Sequence, residues 1–228
     1  MKVPKKRQKL DESVESEESV KIYVANKIFV QKGLKILANY RKLIQDDFGS
    51  ELEEVNFEEN FASIEKINKF VKNSTKDMIT EILSPNDINA QTKAAIINAI
   101  YFNGLWEKPF DGREKETFYS NPKREIDFMT TRPENGDWNF QKGINWRALG
   151  IPYRNRKTWI QKSKSLGVTI PLIEVSTTLD LPENLNKLGI IDAFDERCNL
   201  SKMFLVGEEP TFIGKAIHKA AIKVSKII

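Results

Sequence analysis

The chain has 228 residues, of which 40% are apolar and 30% charged, and its formal net charge is +4. These values are typical of a globular protein, and a small charge spread along the chain does not predict nucleic acid as a partner. One cysteine, Cys198, and one histidine, His218, exclude an intrachain disulfide and a multi-cysteine metal site, and argue against Ser-His-Asp chemistry. We therefore predict neither a metal nor a cofactor.

The N-terminal residues 1–20 carry a basic cluster, then an acidic one, and no apolar stretch. They do not fit a secretory signal, whose centre is apolar, and no window of the chain is apolar enough to span a bilayer. We predict a disordered charged tail over residues 1–20 and a folded domain over residues 21–228. A nuclear address at residues 4–9 is the alternative interpretation of the basic cluster.

The next part of the chain predicts strands and helices in alternation. β-forming residues at 23–30 predict a strand. Apolar residues at helical spacing over 34–48 predict a helix that stops at Gly49, and a short strand is expected at 52–57. A second apolar stripe over 61–71 predicts an amphipathic helix that packs one face on a large surface.

The run from Ala94 to Phe102 is almost entirely apolar, which predicts a strand buried on both faces. Asn98 interrupts this run. Burial of a side-chain amide is unfavourable by about 1–3 kcal/mol unless the amide is hydrogen bonded. Asn98 therefore needs a partner from another part of the chain.

The segment from 106 to 146 is rich in turns and aromatic residues, which predicts antiparallel hairpins whose aromatic side chains fill a core; a ligand groove is the alternative. A polar stretch follows at 154–165. Residues 168–181 predict a strand and residues 182–194 a short helix, with Pro182 in its first turn and Asp180 as its cap.

The last element, residues 212–224, alternates as a strand does. His218 lies on the apolar face of this strand, and it is the candidate to hydrogen bond Asn98 if the two strands are neighbours. Three lysines, Lys215, Lys219 and Lys223, lie on the other face. We expect that face to be solvated, with a heparin site as the alternative.

Several segments resemble one protein family, the serpins, which are serine protease inhibitors. Residues 98–110 read Asn-Ala-Ile-Tyr-Phe-Asn-Gly-Leu-Trp-Glu-Lys-Pro-Phe and are similar to the family signature, except that Lys is usual at Asn103. Residues 24–30 resemble the strand before the family's helix E, and residues 67–71 resemble its helix F. Residues 180–194 and 215–220 resemble later family segments, the second of which is the strand that precedes the hinge.

The resemblance implies an α+β fold with a large central β-sheet, helices packed on it and a second antiparallel β region. It places Asn98 and His218 in the shutter, a polar cluster that gates the opening of the main sheet, and Trp106 in the breach, where a reactive loop first enters. In this family a serine or cysteine protease cleaves the loop and is trapped as an acyl-enzyme while the loop inserts as a new strand. The resemblance implies no catalytic residue and no enzymatic activity.

The chain also departs from the family pattern. The resemblance puts four helices before residue 20, further strands and helices between Tyr153 and Val168, and the hinge and reactive loop beyond Ile228. Lys223 replaces the family's Glu. We therefore expect an incomplete fold with no reactive site in this chain, and a monomer that aggregates because apolar faces such as 96–102 are uncovered.

Two functions follow from these observations. The first is inhibition of a target protease. The second is a truncated, non-inhibitory protein that acts as a binding module or has no function. A hydrolase that uses His218 with Ser201 and Asp192 is a distant third.

Three further positions bear on location and reactivity. Asn73 and Asn199 fit the N-glycosylation pattern, which matters only in a secreted protein. The family resemblance implies an extracellular location, and the lack of a signal in residues 1–20 makes the cytoplasm the alternative. Cys198 follows acidic residues, which do not favour a thiolate, so we expect an unreactive thiol.

Overall fold

The computed structural model describes residues 20–132, 137–154, 163–205 and 212–224. The predicted charged tail lies outside the described residues apart from Val20, and residues 155–162 of the polar stretch lie outside them as well. In chain order the elements are β1 (Val20–Gln31), α1 (Ala38–Phe48), β2 (Glu51–Val55), α2 (Asn60–Ser74), β3 (Ala94–Gly104), β4 (Gly112–Phe118), β5 (Arg124–Thr131), β6 (Asp137–Lys142), β7 (Arg147–Gly150), β8 (Ser163–Ser165), β9 (Val168–Pro171), β10 (Ile173–Asp180), α3 (Leu181–Lys187) and β11 (Ile213–Val224).

Most of the predicted elements are confirmed. The strands predicted at 23–30, 94–102 and 212–224 correspond to β1, β3 and β11, and the two amphipathic helices correspond to α1 and α2. Gly49 ends α1 as predicted, with a left-handed φ of 56° that favours glycine.

Five strands form the main sheet, in the order β10-β11-β3-β1-β2. β3 pairs antiparallel with β1 over its whole length, and β11 pairs antiparallel with β10. β11 and β3 are neighbours and run parallel. We call the boundary between β3 and β11 the seam.

The two faces of the main sheet differ in how they are covered. One face, the helix face, packs against α2, and its core includes Phe29, Ile67 and Ile97. The other face, the open face, is covered at one end by α1 and by residues 200–204. From Ala95 to Tyr101 the residues of β3 on the helix face are buried, whereas those between Ile96 and Phe102 on the open face are only half-buried, which corrects the prediction of burial on both faces.

Two smaller three-stranded sheets, β4-β5-β9 and β7-β6-β8, contain the predicted antiparallel hairpins. Phe110 and Trp138 are buried in a second core that also contains Trp106. The prediction that aromatic side chains fill a core is confirmed for these three residues, whereas Phe118 and Trp146 are exposed.

Two predictions after residue 165 are wrong. Residues 168–181 form two strands in different sheets, because β9 ends at Pro171, which has no N–H to continue the ladder. α3 stops at Lys187, and the chain continues through Gly189, whose φ of 87° does not fit a helix. Pro182 lies in the first turn as predicted, but Asp180 makes no capping hydrogen bond from its side chain.

Candidate functional site

A row of three polar side chains crosses the centre of the main sheet. Asn26 of β1 is paired with Asn98 of β3, which is paired with His218 of β11. Asn98 Nδ2 donates to Asn26 Oδ1, and His218 Nδ1 is hydrogen bonded to Asn98 Oδ1. Because an amide oxygen only accepts, His218 Nδ1 carries the hydrogen. The predicted hydrogen bond between His218 and Asn98 is confirmed.

This polar row fixes the register of three strands. A one-residue slip would turn Asn98 to the other face of the sheet and leave its amide among apolar side chains. The site prediction missed Asn26, although its signal was the same as that of Asn98, an amide inside the apolar run of a strand.

The seam is where a strand could enter with favourable pairing on both sides. The paired stretch extends from Ile213 to Val224 on β11 and from Ala94 to Gly104 on β3. Because the two strands are parallel, a strand that entered between them in the opposite direction would pair antiparallel with each. Such an entry would separate His218 from Asn98.

Lys215 ties β11 to two other parts of the molecule. Its Nζ lies 2.8 Å from Asp87 Oδ1, in the connection between α2 and β3, and 2.8 Å from Asp180 Oδ2 at the end of β10. The Lys215 side chain is only 12% exposed, so the expectation of a solvated lysine face is wrong here. The Asp180 carboxylate accepts from Lys215, which explains why it does not cap α3.

The pKa of Asp87 reflects this contact. Burial alone would raise the pKa of Asp87, but hydrogen bonds from Lys215 and Ser84 outweigh burial and hold it below its ordinary value. The pair therefore has a net favourable electrostatic energy in the folded state at neutral pH.

The other two lysines of β11 also have partners. Lys219 Nζ donates to the backbone oxygen of Glu81 at 2.7 Å, and Lys223 Nζ lies 3.4 Å from Glu174 Oε1 on β10. We call residues 75–93, which join α2 to β3, the α2–β3 connection. Two lysines of β11, Lys215 and Lys219, thus hold this connection against β11.

Trp106 lies near one end of the seam. Its ring stacks on Tyr153 with centroids 4.7 Å apart and an interplanar angle of 2°, and it shares the second core with Val224, the last residue of β11. No described residue accepts a hydrogen bond from the buried Trp106 Nε1. The role of Trp106 as a breach residue stays a prediction.

The remaining predicted positions lie away from the polar row. Asn73, in the last turn of α2, and Asn199 are both exposed, and glycosylation at either stays a prediction. Burial raises the pKa of Cys198, which supports the expectation of an unreactive thiol. Asp192 pairs with Arg197 at 3.2 Å, so the structure does not support a hydrolase built on Asp192 and His218.

Within the described ranges, no group of three or more His, Cys, Asp or Glu side chains is placed to hold a metal ion. No helix in that part of the chain is both long and apolar enough to cross a membrane.

The comparisons with known proteins agree with the resemblance seen in the sequence. The family model described as "Serpin (serine protease inhibitor)" matches residues 1–160 and 155–226. Neuroserpin of Rattus norvegicus is 28% identical over 241 residues, which cover 89% of this chain and 58% of neuroserpin. Glia-derived nexin of Rattus norvegicus is 28% identical over 98% of this chain and 66% of the relative. The chain thus spans little more than half the length of neuroserpin.

Solved structures show the same fold. The serine protease inhibitor serpin-12 of Manduca sexta matches with a TM-score of 0.77 at 20% identity, over 93% of this chain and 68% of that one. Native protease nexin-1, solved with heparin, matches with a TM-score of 0.75 at 26% identity, over 90% of this chain and 66% of that one. The predicted α+β fold is confirmed.

Proposed function

Because this chain belongs to the serpin family, we propose that it inhibits serine proteases. In this proposal the protease cleaves the reactive loop of the inhibitor, and the cleaved loop inserts as a new strand of the inhibitor's main sheet. The observation that carries the proposal is the seam, where β3 and β11 are parallel neighbours. A target serine or cysteine protease is the partner. The protein is not itself an enzyme and needs no cofactor.

In this mechanism Asn98 and His218 are positioning residues. Their hydrogen bond spans the seam at its centre and helps to keep the seam closed. The seam opens when the inserting strand forms backbone hydrogen bonds with β3 and β11, which replace the hydrogen bonds between those two strands. Trp106 packs beside the end of the seam, where the loop enters. The covalent step belongs to the protease, whose serine forms the acyl-enzyme, and no side chain of this chain takes part in it.

The test is a covalent complex between the full natural protein and a protease. We would incubate the protein with a panel of serine proteases and separate the products in denaturing detergent, because an acyl-enzyme ester survives unfolding. The expected result with at least one protease is a band at the summed mass less the C-terminal fragment that cleavage releases, and this band should be absent when the protease serine is blocked. Cleavage of the protein by every protease without any such band would contradict inhibition.

A second candidate function is a non-inhibitory binding module. Lys223, where the family resemblance predicts Glu, pairs with Glu174 and so holds the end of β11 to β10. Because this pair does not cross the seam, it does not oppose loop entry, and the second candidate rests on the departure of Lys223 from the family's Glu. Binding to a protease without a covalent complex, and with the protein left uncleaved, would favour this candidate.

An extracellular location is part of the first proposal and rests on the family. Its test is glycosylation at Asn73 and Asn199, both of which are exposed. The natural protein from its source cells should lose mass on treatment with an amidase that removes N-linked glycans. No change in mass would mean that the two sites carry no glycan, and it would favour a cytoplasmic location.

A further inference from the structure

A hollow of about 210 Å³ lies on the helix face between the main sheet and the α2–β3 connection. Three of its residues, Ser176 of β10, Ala221 of β11 and Tyr101 of β3, are in register across the sheet. Two small side chains beside a large ring leave the space open. Residues 78–80 of the connection form the opposite wall. We call this hollow the Tyr101 pocket.

The Tyr101 hydroxyl is the unsatisfied group of this pocket. The side chain is 2% exposed and its ring stacks on Tyr23 with centroids 6.1 Å apart. No described residue accepts a hydrogen bond from Tyr101 Oη. A buried hydroxyl without a partner is rare and destabilising, so the pocket offers a hydrogen bond to whatever occupies it.

Three charged side chains also line the pocket, Glu174, Lys219 and Lys223. Lys219 Nζ donates to the Glu81 backbone oxygen, and Lys223 pairs with Glu174 at 3.4 Å. Burial, followed by the charge of Glu174, raises the pKa of Tyr101, so the phenol stays a neutral donor.

We propose that the Tyr101 pocket binds a small molecule with a carboxamide or hydroxyl group on a short apolar body. Such a group accepts the hydrogen bond from Tyr101, while the apolar body contacts Ile79 and Ala221. The volume equals that of about seven water molecules, which limits the ligand to a small molecule. The proposal is independent of protease inhibition.

The first test uses isobutyramide as the probe in an NMR titration of the full natural protein. A ligand this small is expected to bind with a Kd of about 1 mM. Ser176→Leu places a larger side chain in the pocket from an exposed edge strand and should weaken binding at least tenfold. Thr177→Leu is the matched control: its side chain lies on the open face of the same strand, so its Kd should stay within twofold.

A second variant separates the hydrogen bond from the shape of the pocket. Tyr101→Phe keeps the ring and removes the hydroxyl. It should weaken isobutyramide binding about fivefold, which is the effect expected from the loss of one hydrogen bond. Failure of the wild-type protein to bind isobutyramide at about 20 mM, or unchanged binding in Tyr101→Phe, would each overturn the proposal.

Discussion

At the scale of single residues, the polar row differs from the apolar core in what each side chain requires. An apolar residue such as Ile97 is satisfied by any close packing, whereas Asn98 requires a donor at one atom and an acceptor at another. His218 supplies the donor and Asn26 the acceptor. The three residues therefore behave as one unit, and the loss of one member leaves the others unsatisfied.

We expect His218→Ala to lower the free energy of unfolding by about 1–2 kcal/mol, because Asn98 Oδ1 then lacks a donor in a partly buried site. Urea unfolding followed by circular dichroism would measure the loss. His218→Gln, which retains a donor, should recover part of it. A His218→Ala protein as stable as the wild type would show that the hydrogen bond does not contribute.

Asp87 makes stability depend on pH in a defined window. Its pKa is lowered in the folded state, so it adds stability above the unfolded-state pKa of about 3.9, and this stability is lost as pH falls through the lower folded-state pKa. Wild type should be more stable than Asp87→Asn at pH 6 by about 1 kcal/mol, and the difference should shrink as pH falls below the unfolded-state pKa of about 3.9.

The measurement for Asp87 is the urea midpoint of both proteins between about pH 2.5 and pH 6. The control is Asp46→Asn, at an exposed position in α1, which should not change the pH dependence. A difference between wild type and Asp87→Asn that is constant across the range would show that the Asp87 carboxylate is not the titrating group.

At the scale of elements, the α2–β3 connection is held by side chains from β11. Lys215 reaches Asp87 and Lys219 reaches the backbone of Glu81. These contacts join two elements on opposite sides of the seam, because the connection leads directly into β3. Opening the seam therefore requires the connection to release β11 as well as the separation of Asn98 from His218.

Lys215→Met should loosen the connection while it leaves the apolar stem of the side chain in place. We expect amide hydrogen exchange in residues 76–93 to become about tenfold faster, the equivalent of about 1.4 kcal/mol in local opening. Lys202→Met, at an exposed lysine, is the control and should leave exchange there unchanged. Equal exchange in wild type and Lys215→Met would mean that the lysine does not hold the connection.

The sequence indicates elements better than it indicates how they pair. The alternation in β11 and the apolar run in β3 are local patterns, so both strands could be predicted from the sequence. The Asn98–His218 contact was predicted only on the condition that the two strands are neighbours. The partners of Lys215 were not, because Asp87 lies in a connection without periodicity and Asp180 looked like a helix cap. The lysine face was misjudged for the same reason, since burial there comes from a distant segment.

At the scale of the whole molecule, the open face of the main sheet exposes apolar side chains. Ile22 and Val24 of β1 are 58% and 48% exposed, and Phe48 of α1 is 59% exposed. Exposed apolar side chains on one face of a sheet favour association between copies. The polar row lies on the same face, next to these residues.

We predict that the 228-residue chain, produced alone, self-associates through the open face. Ile22→Thr combined with Val24→Thr keeps β-forming residues on β1 and removes apolar surface, so the double variant should shift the population towards monomer in size-exclusion chromatography with light scattering. Ile144→Thr, at a residue 101% exposed outside this face, is the control and should not change the population. A wild-type monomer that unfolds reversibly in one cooperative step would contradict the prediction. In that case the exposed apolar residues of β1 and α1 would be compatible with a stable, isolated fold.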